Sequence, residues 1–414
     1  MKNTNQQWFK DAKYGLFIHW GIFSVLAGEY EGERVNCCVE WTMNCLNIPA
    51  EKYRTLAKEF RAEKFSAEDI VRKAKEDWGM KYLVFTTKHH DGFAMWDSKV
   101  SDNNVVKATP YGKDILKEFQ LACEKYDMKL GLYYSQSQDW DDPDGYMNGH
   151  DNSGKNFRKY LDRKCIPQLK ELLTGYGKIS ILWFDTPMHI TKEESLELFQ
   201  LVKDLQPECI VNGRIGNGVG EYLTTGDCSI PKLPIPGDWE VPATLNESWG
   251  YNKYDNKWRS SEEILRLLLK IVSRGGNYLL NIGPDVHGQI PEESCKILNE
   301  VGRYLKKNGE AVYGTKHMEV YPYDLDWAEL TVKEKKLFIH VLKPKAGVGL
   351  MNVANKIRRA YIVENGYELE CCSKKVGEGD SVVEITLPDE YKQRNWYAIC
   401  MELEEEWPIF EPIR

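Results

Sequence analysis

Long apolar runs are absent from this sequence. Nowhere in the 414 residues is there a stretch of about 18 apolar residues, the length that a membrane-spanning helix needs. The opening residues 1–8 also lack the hydrophobic segment of a secretion signal. These absences argue against membrane attachment and favour a cytoplasmic protein, unless a signal has been trimmed.

An excess of positive charge is also missing. The chain carries 55 Lys and Arg residues against 63 Asp and Glu residues, a formal net charge of −8. The basic residues form no stripe interleaved with aromatic side chains, so nucleic acid is not an expected partner. Two glycine-rich stretches, residues 213–218 and 273–277, match neither GxxxxGK[ST] nor a GxGxxG that opens a helix. We interpret them as turns rather than phosphate-binding loops.

Paired cysteine motifs are missing as well. The sequence has 11 cysteines, but their number is odd and their spacings, among them Cys37-Cys38 and Cys371-Cys372, include no paired CxxC framework. We therefore expect buried, reduced thiols rather than a disulfide scaffold.

What the sequence does contain is a set of apolar strands that end in polar residues. The three clearest cases are residues 15–18 followed by His19, residues 82–87 followed by Lys88-His89-His90, and residues 179–184 followed by Asp185. In parallel α/β barrels the active site is built at the carboxyl ends of the strands. We therefore expect these polar side chains to be functional.

Segments of helical period alternate with these strands. In residues 66–75, for example, Ser66 can cap a helix, and Glu68 and Asp69 suit its first turn. The alternation predicts an α/β protein with a closed (β/α)8-like barrel of the TIM type. The predicted strands are residues 15–20, 82–88, 130–135, 179–185, 209–214, 222–227, a poorly defined one near 243–249, and 277–283.

Two regions depart from this alternation. Between Arg214 and Trp249 the sequence is rich in glycine and proline, which predicts that loops replace helices and that the barrel is irregular in its second half. After Gly314 short strands separated by turns predict a C-terminal β-sandwich. We therefore divide the chain into a catalytic barrel, residues 1–315, and a β-sandwich domain, residues 316–414.

Carboxylates are the strongest candidates for chemistry. Asp185 ends an apolar strand, where an unpaired carboxylate would be unfavourable, so a polar cleft should begin there. Alternatively, Asp185 could have a structural role as the N-cap of the following segment. Asp227 also closes a β-type run, and Glu240 and Glu247 follow it. Two carboxyl groups commonly cleave glycosidic bonds, about 5–5.5 Å apart in retaining enzymes.

The histidines suggest hydrogen bonding rather than metal binding. Neighbouring residues of a strand face opposite sides, so His89 and His90 could not both reach one ion without a turn. Together with His19 and Glu40 they can instead bind neutral hydroxyl groups and discriminate between sugars. We expect no metal, and we expect Lys88 to form a salt bridge rather than a Schiff base.

Seven motifs together resemble the α-L-fucosidases of glycoside hydrolase family 29, in the family's order and over about residues 8–315. They are residues 15–20 (GLFIHW), 40–41 (EW), 88–93 (KHHDGF), 132–135 (LYYS), 182–185 (LWFD), 248–251 (SWGY) and 275–284 (GGNYLLNIGP). The combination is highly specific, although no single motif is.

The resemblance implies a retaining, exo-acting enzyme that removes terminal α-L-fucose from oligosaccharides or glycoconjugates through a covalent fucosyl-enzyme, without a cofactor. It matches Asp185 to the nucleophile and Arg214 to a position beside it. By the same matching Trp249 packs on the methyl group of the sugar, and the remaining residues bind its hydroxyls or line the pocket: His19, Glu40, Trp41, His89, His90, Tyr134 and Trp183.

The acid/base is where this chain departs from the family. Many members carry Thr-Pro-Glu in the loop that here reads Thr224-Thr225-Gly226-Asp227. We expect Asp227 to be the equivalent carboxylate, with Glu240 as its competitor and Glu247 as a weaker one.

Three other functions stay open at this point: a fucose-binding pseudoenzyme, an α-L-galactosidase on the same scaffold, and a metal-dependent hydrolase. The sequence also leaves a homo-oligomer open. We expect residues 35–47 and 216–242, two long loops, to determine which linkage is cleaved.

Overall fold

In the computed structural model, which describes residues 6–35, 38–318, 325–376 and 380–411, eight parallel strands form one sheet. They are β1 (Tyr14–Ile18), β2 (Tyr82–Lys88), β3 (Lys129–Ser135), β4 (Ile181–Asp185), β5 (Ile210–Val211), β6 (Leu223–Thr224), β7 (Trp239–Thr244) and β8 (Asn277–Ile282). Their order is β5-β4-β3-β2-β1-β8-β7-β6, and a parallel bridge between Asn212 and Tyr222 joins the two edges. The predicted barrel is confirmed.

Thirteen α-helical segments occur in the described residues, and several continue into short 3-10 or π turns. They are α1 (Gln7–Ala12), α2 (Phe23–Leu26), α3 (Thr42–Cys45), α4 (Ala50–Arg54), α5 (Ala67–Arg72), α6 (Val105–Ala108), α7 (Ile115–Lys125), α8 (Phe157–Tyr160), α9 (Ile166–Gly175), α10 (Lys192–Leu205), α11 (Ser261–Ser273), α12 (Glu292–Asn308) and α13 (Asp389–Lys392). As predicted, Ser66 caps α5 by accepting a hydrogen bond from the amide of Asp69 at 3.1 Å. None of the described helices is both long and apolar enough to span a bilayer.

The barrel lacks α-helices between β5 and β6 and between β6 and β7, and only a 3-10 turn, Gly213–Ile215, follows β5. After Cys228 the chain instead runs as an irregular segment towards the amino ends of the strands. There the carbonyl of Lys232 accepts from Arg274, and Asp238 pairs with Lys10 at 3.4 Å. The irregular second half is as expected, because proline and glycine in this stretch remove helical hydrogen bonds.

The prediction for the seventh strand was wrong. The strand covers Trp239–Thr244 rather than residues 243–249. Pro242 argued against a strand in this segment, because proline has no backbone N–H to donate to a neighbouring strand. The carbonyls of Glu240 and Pro242 both face the β6 side, and β6 ends at Thr224, so proline is accommodated beyond the end of its neighbour.

The C-terminal region forms the predicted β-sandwich. Its strands are β9 (Ala328–Lys333), β10 (Lys336–Val341), β11 (Val348–Met351), β12 (Ile357–Ile362), β13 (Glu368–Leu369), β14 (Cys371–Val376), β15 (Asp380–Ile385) and β16 (Tyr397–Leu403). They form an antiparallel five-stranded sheet, β9-β10-β16-β12-β13, and an antiparallel three-stranded sheet, β11-β15-β14. Alternate apolar side chains of both sheets form the core between them, among them Leu337, Ile339, Leu350 and Val383.

His340 joins the sandwich to the last helix of the barrel. It is fully buried on β10, where Nδ1 is 2.7 Å from the hydroxyl of Tyr304 on α12. Its Nε2 lies 3.0 Å from the hydroxyl of Thr331 and 3.1 Å from the carbonyl of Ala311. Burial lowers the pKa of His340 from 6.5 to about 4. Burial therefore favours the neutral imidazole at this contact between barrel and sandwich.

We expect His340 to make the protein less stable in mild acid. The unfolded chain takes up a proton near pH 6.5 and the folded one near pH 4, so stability is constant above about 6.5 and falls between these values. Between pH 7.5 and 5.0 this group should lower the free energy of unfolding by about 2 kcal/mol. In urea titrations at both pH values, His340→Gln should remove that part of the loss.

The exposed His287 provides the matched control, because it pairs only with Glu63 at the surface. His287→Gln should keep the wild-type difference between the two pH values. An unchanged pH dependence in His340→Gln would contradict the prediction.

The cysteines differ in one respect from the expectation of reduced thiols. Cys123, Cys165, Cys209 and Cys400 are buried free thiols. Cys45, however, is disulfide-bonded. Sequence spacing did not reveal this bond, because a disulfide requires two cysteines whose Cα and Cβ atoms are close in the folded protein, and no sequence motif encodes that distance.

Candidate active site

The turn that follows β2 brings two histidines to one side. The strand ends at Lys88, and the amide of Gly92 donates to the carbonyl of His89 at 3.1 Å. The rings of His89 and His90 therefore lie together, with centroids 4.2 Å apart. Gly92 has a φ of +76°, and a Cβ atom there would lie 2.3 Å from the carboxylate of Asp139. Glycine is thus required for this turn.

Asp185 is the last residue of β4, and two donors hold its carboxylate. The hydroxyl of Tyr133 donates to Oδ2 at 2.9 Å, and Arg214 donates to Oδ1 at 2.9 Å. The amide of Asp185 donates to the side chain of Gln136 at 2.9 Å, and Nε2 of His90 lies 3.8 Å from Oδ2. The side chain remains 12% exposed. The carboxylate is therefore oriented, paired and still accessible.

Arg214 connects Asp185 to a second carboxylate. It lies in the 3-10 turn after β5, Gly213–Ile215, and donates to Asp227 and to the carbonyl of Thr225. The side chain of Asp227 is 50% exposed. Burial lowers the pKa of Arg214, but the two carboxylates raise it more, so it lies above its ordinary value. One permanent positive charge therefore holds both carboxylates at the carboxyl end of the barrel.

An aromatic wall lies beside His19. The centroid of the His19 ring is 4.9 Å from that of Trp249 and 5.8 Å from that of His89. Phe17 lies 5.9 Å from Trp249. Nδ1 of His19 is 2.7 Å from the side-chain oxygen of Asn281, which fixes the ring. This side of the site offers apolar surface next to a hydrogen-bonding imidazole.

Glu40 and Trp41 approach from the loop after β1. Glu40 is buried, and its Oε2 accepts from the amide of Gly250 at 3.2 Å. Trp41 lies 4.9 Å from His90 and 5.3 Å from Trp140. Residues 36 and 37 of this loop lie outside the described residues. The described part brings an aromatic ring to His90 and a carboxyl group to the backbone that follows Trp249.

The other titratable side chains around Asp185 and Asp227 are mostly held in their uncharged forms. Burial lowers the pKa of His19 to about 4 and the pKa values of His89 and His90 well below 6.5. Burial also raises the pKa of Glu40 to about 7. A neutral imidazole has one donor and one acceptor nitrogen, which suits a hydroxyl group. Nδ1 of His89 is buried and has no hydrogen-bond partner among the described residues.

The structure brings Tyr133, and not Tyr134, to the site. The hydroxyl of Tyr134 donates to Gln168 on α9 at 2.8 Å, so this side chain lies between the barrel and its helices. Tyr133 pairs in register with Trp183 and points into the barrel. Because side chains alternate along a strand, only one of two adjacent tyrosines can line the pocket. The expectation for Tyr134 is therefore corrected.

The two other candidate acid/base residues lie elsewhere. Glu240 is completely buried inside the barrel, where Tyr82 and Trp183 donate to its two oxygens at 2.6 and 2.9 Å. Glu247 is 63% exposed and pairs with Lys257. Of the three carboxylates considered for the second role, only Asp227 contacts Arg214.

Lys88 forms the salt bridge that was expected. Its amino group is fully buried and donates to Asp139 at 2.8 Å and to the hydroxyl of Tyr160 at 2.9 Å. Lys164 donates to the same carboxylate at 2.9 Å. Among the residues that the structure describes, no group of three His, Cys, Asp or Glu side chains is arranged to hold a metal ion.

Comparison with known proteins agrees with this geometry. The family model described as alpha-L-fucosidase matches residues 1–310. The chain belongs to the α-L-fucosidase family. It is 34% identical over 332 residues to the plasma α-L-fucosidase of Rattus norvegicus, an alignment that covers 74% of this chain and 70% of the relative. The family consists of glycoside hydrolases, so this fucosidase is a hydrolase as the motifs predicted.

Solved fucosidases share the fold. The α-L-fucosidase isoenzyme 1 of Paenibacillus thiaminolyticus has a TM-score of 0.88 at 30% identity, covering 97% of this chain and 99% of its own. An α-L-fucosidase of Lactobacillus casei in complex with α-L-fucose product has a TM-score of 0.69 at 41% identity, covering 73% and 98%. The first covers both barrel and sandwich.

Sequence reasoning missed several residues of the fucosidase site. They are Tyr133 and Gln136, which contact Asp185, Ser135, whose hydroxyl is 2.6 Å from Nδ1 of His90, and Asn281, which holds His19. For two of them the sequence contained a usable pattern: Tyr133 and Ser135 share a strand face and lie in register with Trp183 and Asp185. The pattern can be recognised only when the pairing of β3 with β4 is known.

Proposed function

We propose that this fucosidase is exo-acting and hydrolyses terminal α-L-fucose with retention, with Asp185 as nucleophile and Asp227 as acid/base. The observation that carries the proposal is the contact of one guanidinium, that of Arg214, with both carboxylates. It places two carboxyl groups side by side at the carboxyl end of the barrel, where barrel enzymes perform their chemistry. Two such carboxyl groups are the requirement for glycoside hydrolysis.

In the first step Asp185 attacks the anomeric carbon while Asp227 donates a proton to the departing oxygen. Tyr133 and Arg214 each donate to one oxygen of Asp185, which aims the carboxylate and limits its rotation. The product of this step is a covalent fucosyl-enzyme of inverted configuration. In the second step Asp227 takes a proton from water, which displaces Asp185 and restores the original configuration.

The neutral site residues suit a neutral sugar. Asn281 and Ser135 already occupy Nδ1 of His19 and of His90, which leaves Nε2 of each ring for a sugar hydroxyl. Glu40 approaches the same region. Trp249 and Phe17 supply the apolar surface that a methyl group needs. The Lactobacillus casei relative, solved with α-L-fucose product, supports fucose as the sugar. Trp41, Trp183 and Arg214 complete the proposed binding residues.

We also propose that residues 1–315 are the catalytic domain and residues 316–414 the sandwich domain. The first strand of the sandwich sheets begins at Ala328, and Lys316 already pairs with Val332. We propose that two segments determine which linkage is cleaved: the described part of residues 35–47, and residues 225–228, the part of the second loop beside Arg214.

The test is hydrolysis of 4-nitrophenyl α-L-fucoside, with the first sugar product observed by NMR and with a chelator in a parallel reaction. We expect chelator-resistant release of nitrophenol, with α-L-fucose formed before it mutarotates. The matching α-L-galactoside serves as the comparison, and we expect it to react more slowly because its extra hydroxyl would meet Trp249. Initial formation of β-L-fucose would overturn the retaining mechanism. Fucose binding without hydrolysis of this glycoside or of fucosylated oligosaccharides would favour a pseudoenzyme.

A further inference from the structure

Glu240 is a carboxyl group that the proposed reaction does not use. It is the second residue of β7, and its side chain lies inside the barrel with 0% exposure. The hydroxyl of Tyr82 donates to Oε2 at 2.6 Å and the indole N–H of Trp183 donates to Oε1 at 2.9 Å. Burial raises the pKa of Glu240 to about 7. A carboxyl group in an aromatic interior is unfavourable unless it is hydrogen-bonded, and these two donors meet that requirement.

The indole ring of Trp183 connects Glu240 to the proposed nucleophile. On one side it stacks on Tyr133, with centroids 5.5 Å apart and planes 21° apart. The guanidinium carbon of Arg214 lies 4.9 Å from the centre of the same indole ring. Tyr133 and Arg214 are the two side chains that donate to Asp185. A rotation of the indole would therefore displace both donors.

We propose that Glu240 is a positioning residue that fixes the indole of Trp183 and, through Tyr133 and Arg214, the orientation of Asp185. The inference rests on the proposed function, since it concerns the alignment of the nucleophile. It also gives Glu240 a different role from that of an acid. A general acid must reach the leaving oxygen within hydrogen-bonding distance, whereas both oxygens of Glu240 are occupied inside the barrel.

Three substitutions test this role. Glu240→Gln keeps an acceptor for the indole, Glu240→Leu removes it at similar volume, and Trp183→Phe removes the donor and keeps an aromatic ring. Each variant is measured with 4-nitrophenyl and 2,4-dinitrophenyl α-L-fucoside, with and without azide. The concentration of active protein is taken from calorimetric titration with fucose, so that kcat refers to folded, sugar-binding molecules.

We expect Glu240→Gln to keep kcat within about threefold of the wild type. Glu240→Leu and Trp183→Phe should lower kcat about 10- to 100-fold on both substrates, with a smaller change in KM, because misalignment of the nucleophile acts in the transition state. Azide should not restore them. A double variant that combines Glu240→Leu with Trp183→Phe should be no slower than the slower of the two single variants, because both substitutions break the same hydrogen bond.

Wild-type kcat in Glu240→Leu and Trp183→Phe would overturn the inference. So would a loss of more than about 100-fold in Glu240→Gln that azide reverses, since that result belongs to an acid/base. If Glu240→Leu does not fold, Glu240→Gln and Trp183→Phe still decide. The wild-type enzyme measured in parallel separates failure of this inference from failure of the proposed function.

Discussion

Asp185→Asn should lower kcat on 4-nitrophenyl α-L-fucoside by at least about 10,000-fold, the scale on which removal of a nucleophile acts. The substitution preserves the volume of the side chain, and its amide oxygen can still accept from Arg214 while the hydroxyl of Tyr133 turns to accept from the amide NH2, but the amide cannot form the glycosyl ester. The variant should still fold and bind fucose, which thermal denaturation with and without the sugar would show. The measurement is the rate of nitrophenol release at saturating substrate.

A second variant identifies the role of the residue rather than its importance alone. In Asp185→Ala the missing carboxylate leaves space for azide, which should attack the anomeric carbon directly and give β-L-fucosyl azide. Asp238→Asn is the matched control, because Asp238 pairs with Lys10 near the amino ends of the strands and should leave kcat unchanged. Turnover above about one percent of wild type in Asp185→Asn would reject Asp185 as the nucleophile.

Asp227→Ala should also respond to azide, but with a product of the opposite anomeric configuration. Loss of the proton donor should lower kcat by about 100- to 10,000-fold on substrates with poor leaving groups. On 2,4-dinitrophenyl α-L-fucoside, whose leaving group departs without a proton, the loss of kcat/KM should be much smaller, and breakdown of the fucosyl-enzyme should limit kcat. Azide should then accelerate breakdown of the fucosyl-enzyme and give α-L-fucosyl azide, because it attacks the intermediate from the side that water uses.

The two azide products thus distinguish nucleophile from acid/base by their configuration. Glu247→Ala is the matched control for Asp227, since Glu247 is an exposed carboxylate paired with Lys257 and should keep wild-type activity. If Asp227→Ala retains its activity on natural fucosylated oligosaccharides, or if azide has no effect on it, another group must donate the proton.

The sequence placed Asp185 at a strand end because an apolar run that stops at a carboxylate is a local pattern. It likewise predicted the barrel, the lost helices and the sandwich, since these follow from alternating strand and helix periods and from glycine and proline. The seventh strand was misplaced because Pro242 conceals it, and its position depends on how far its neighbour β6 extends.

What the sequence by itself determined is therefore the architecture, the family motifs and the carboxylates worth considering. The tertiary structure alone decided which of these groups meet. Tyr133 reaches Asp185 and Tyr134 does not, because the register of β3 against β4 selects one strand face. Glu240 lies under Trp183, and Asp227 beside Arg214, because closure of the barrel brings together strands that stand far apart in the order of the sheet. Local patterns carry no information on such contacts, since their energy is realised only when the chain has folded.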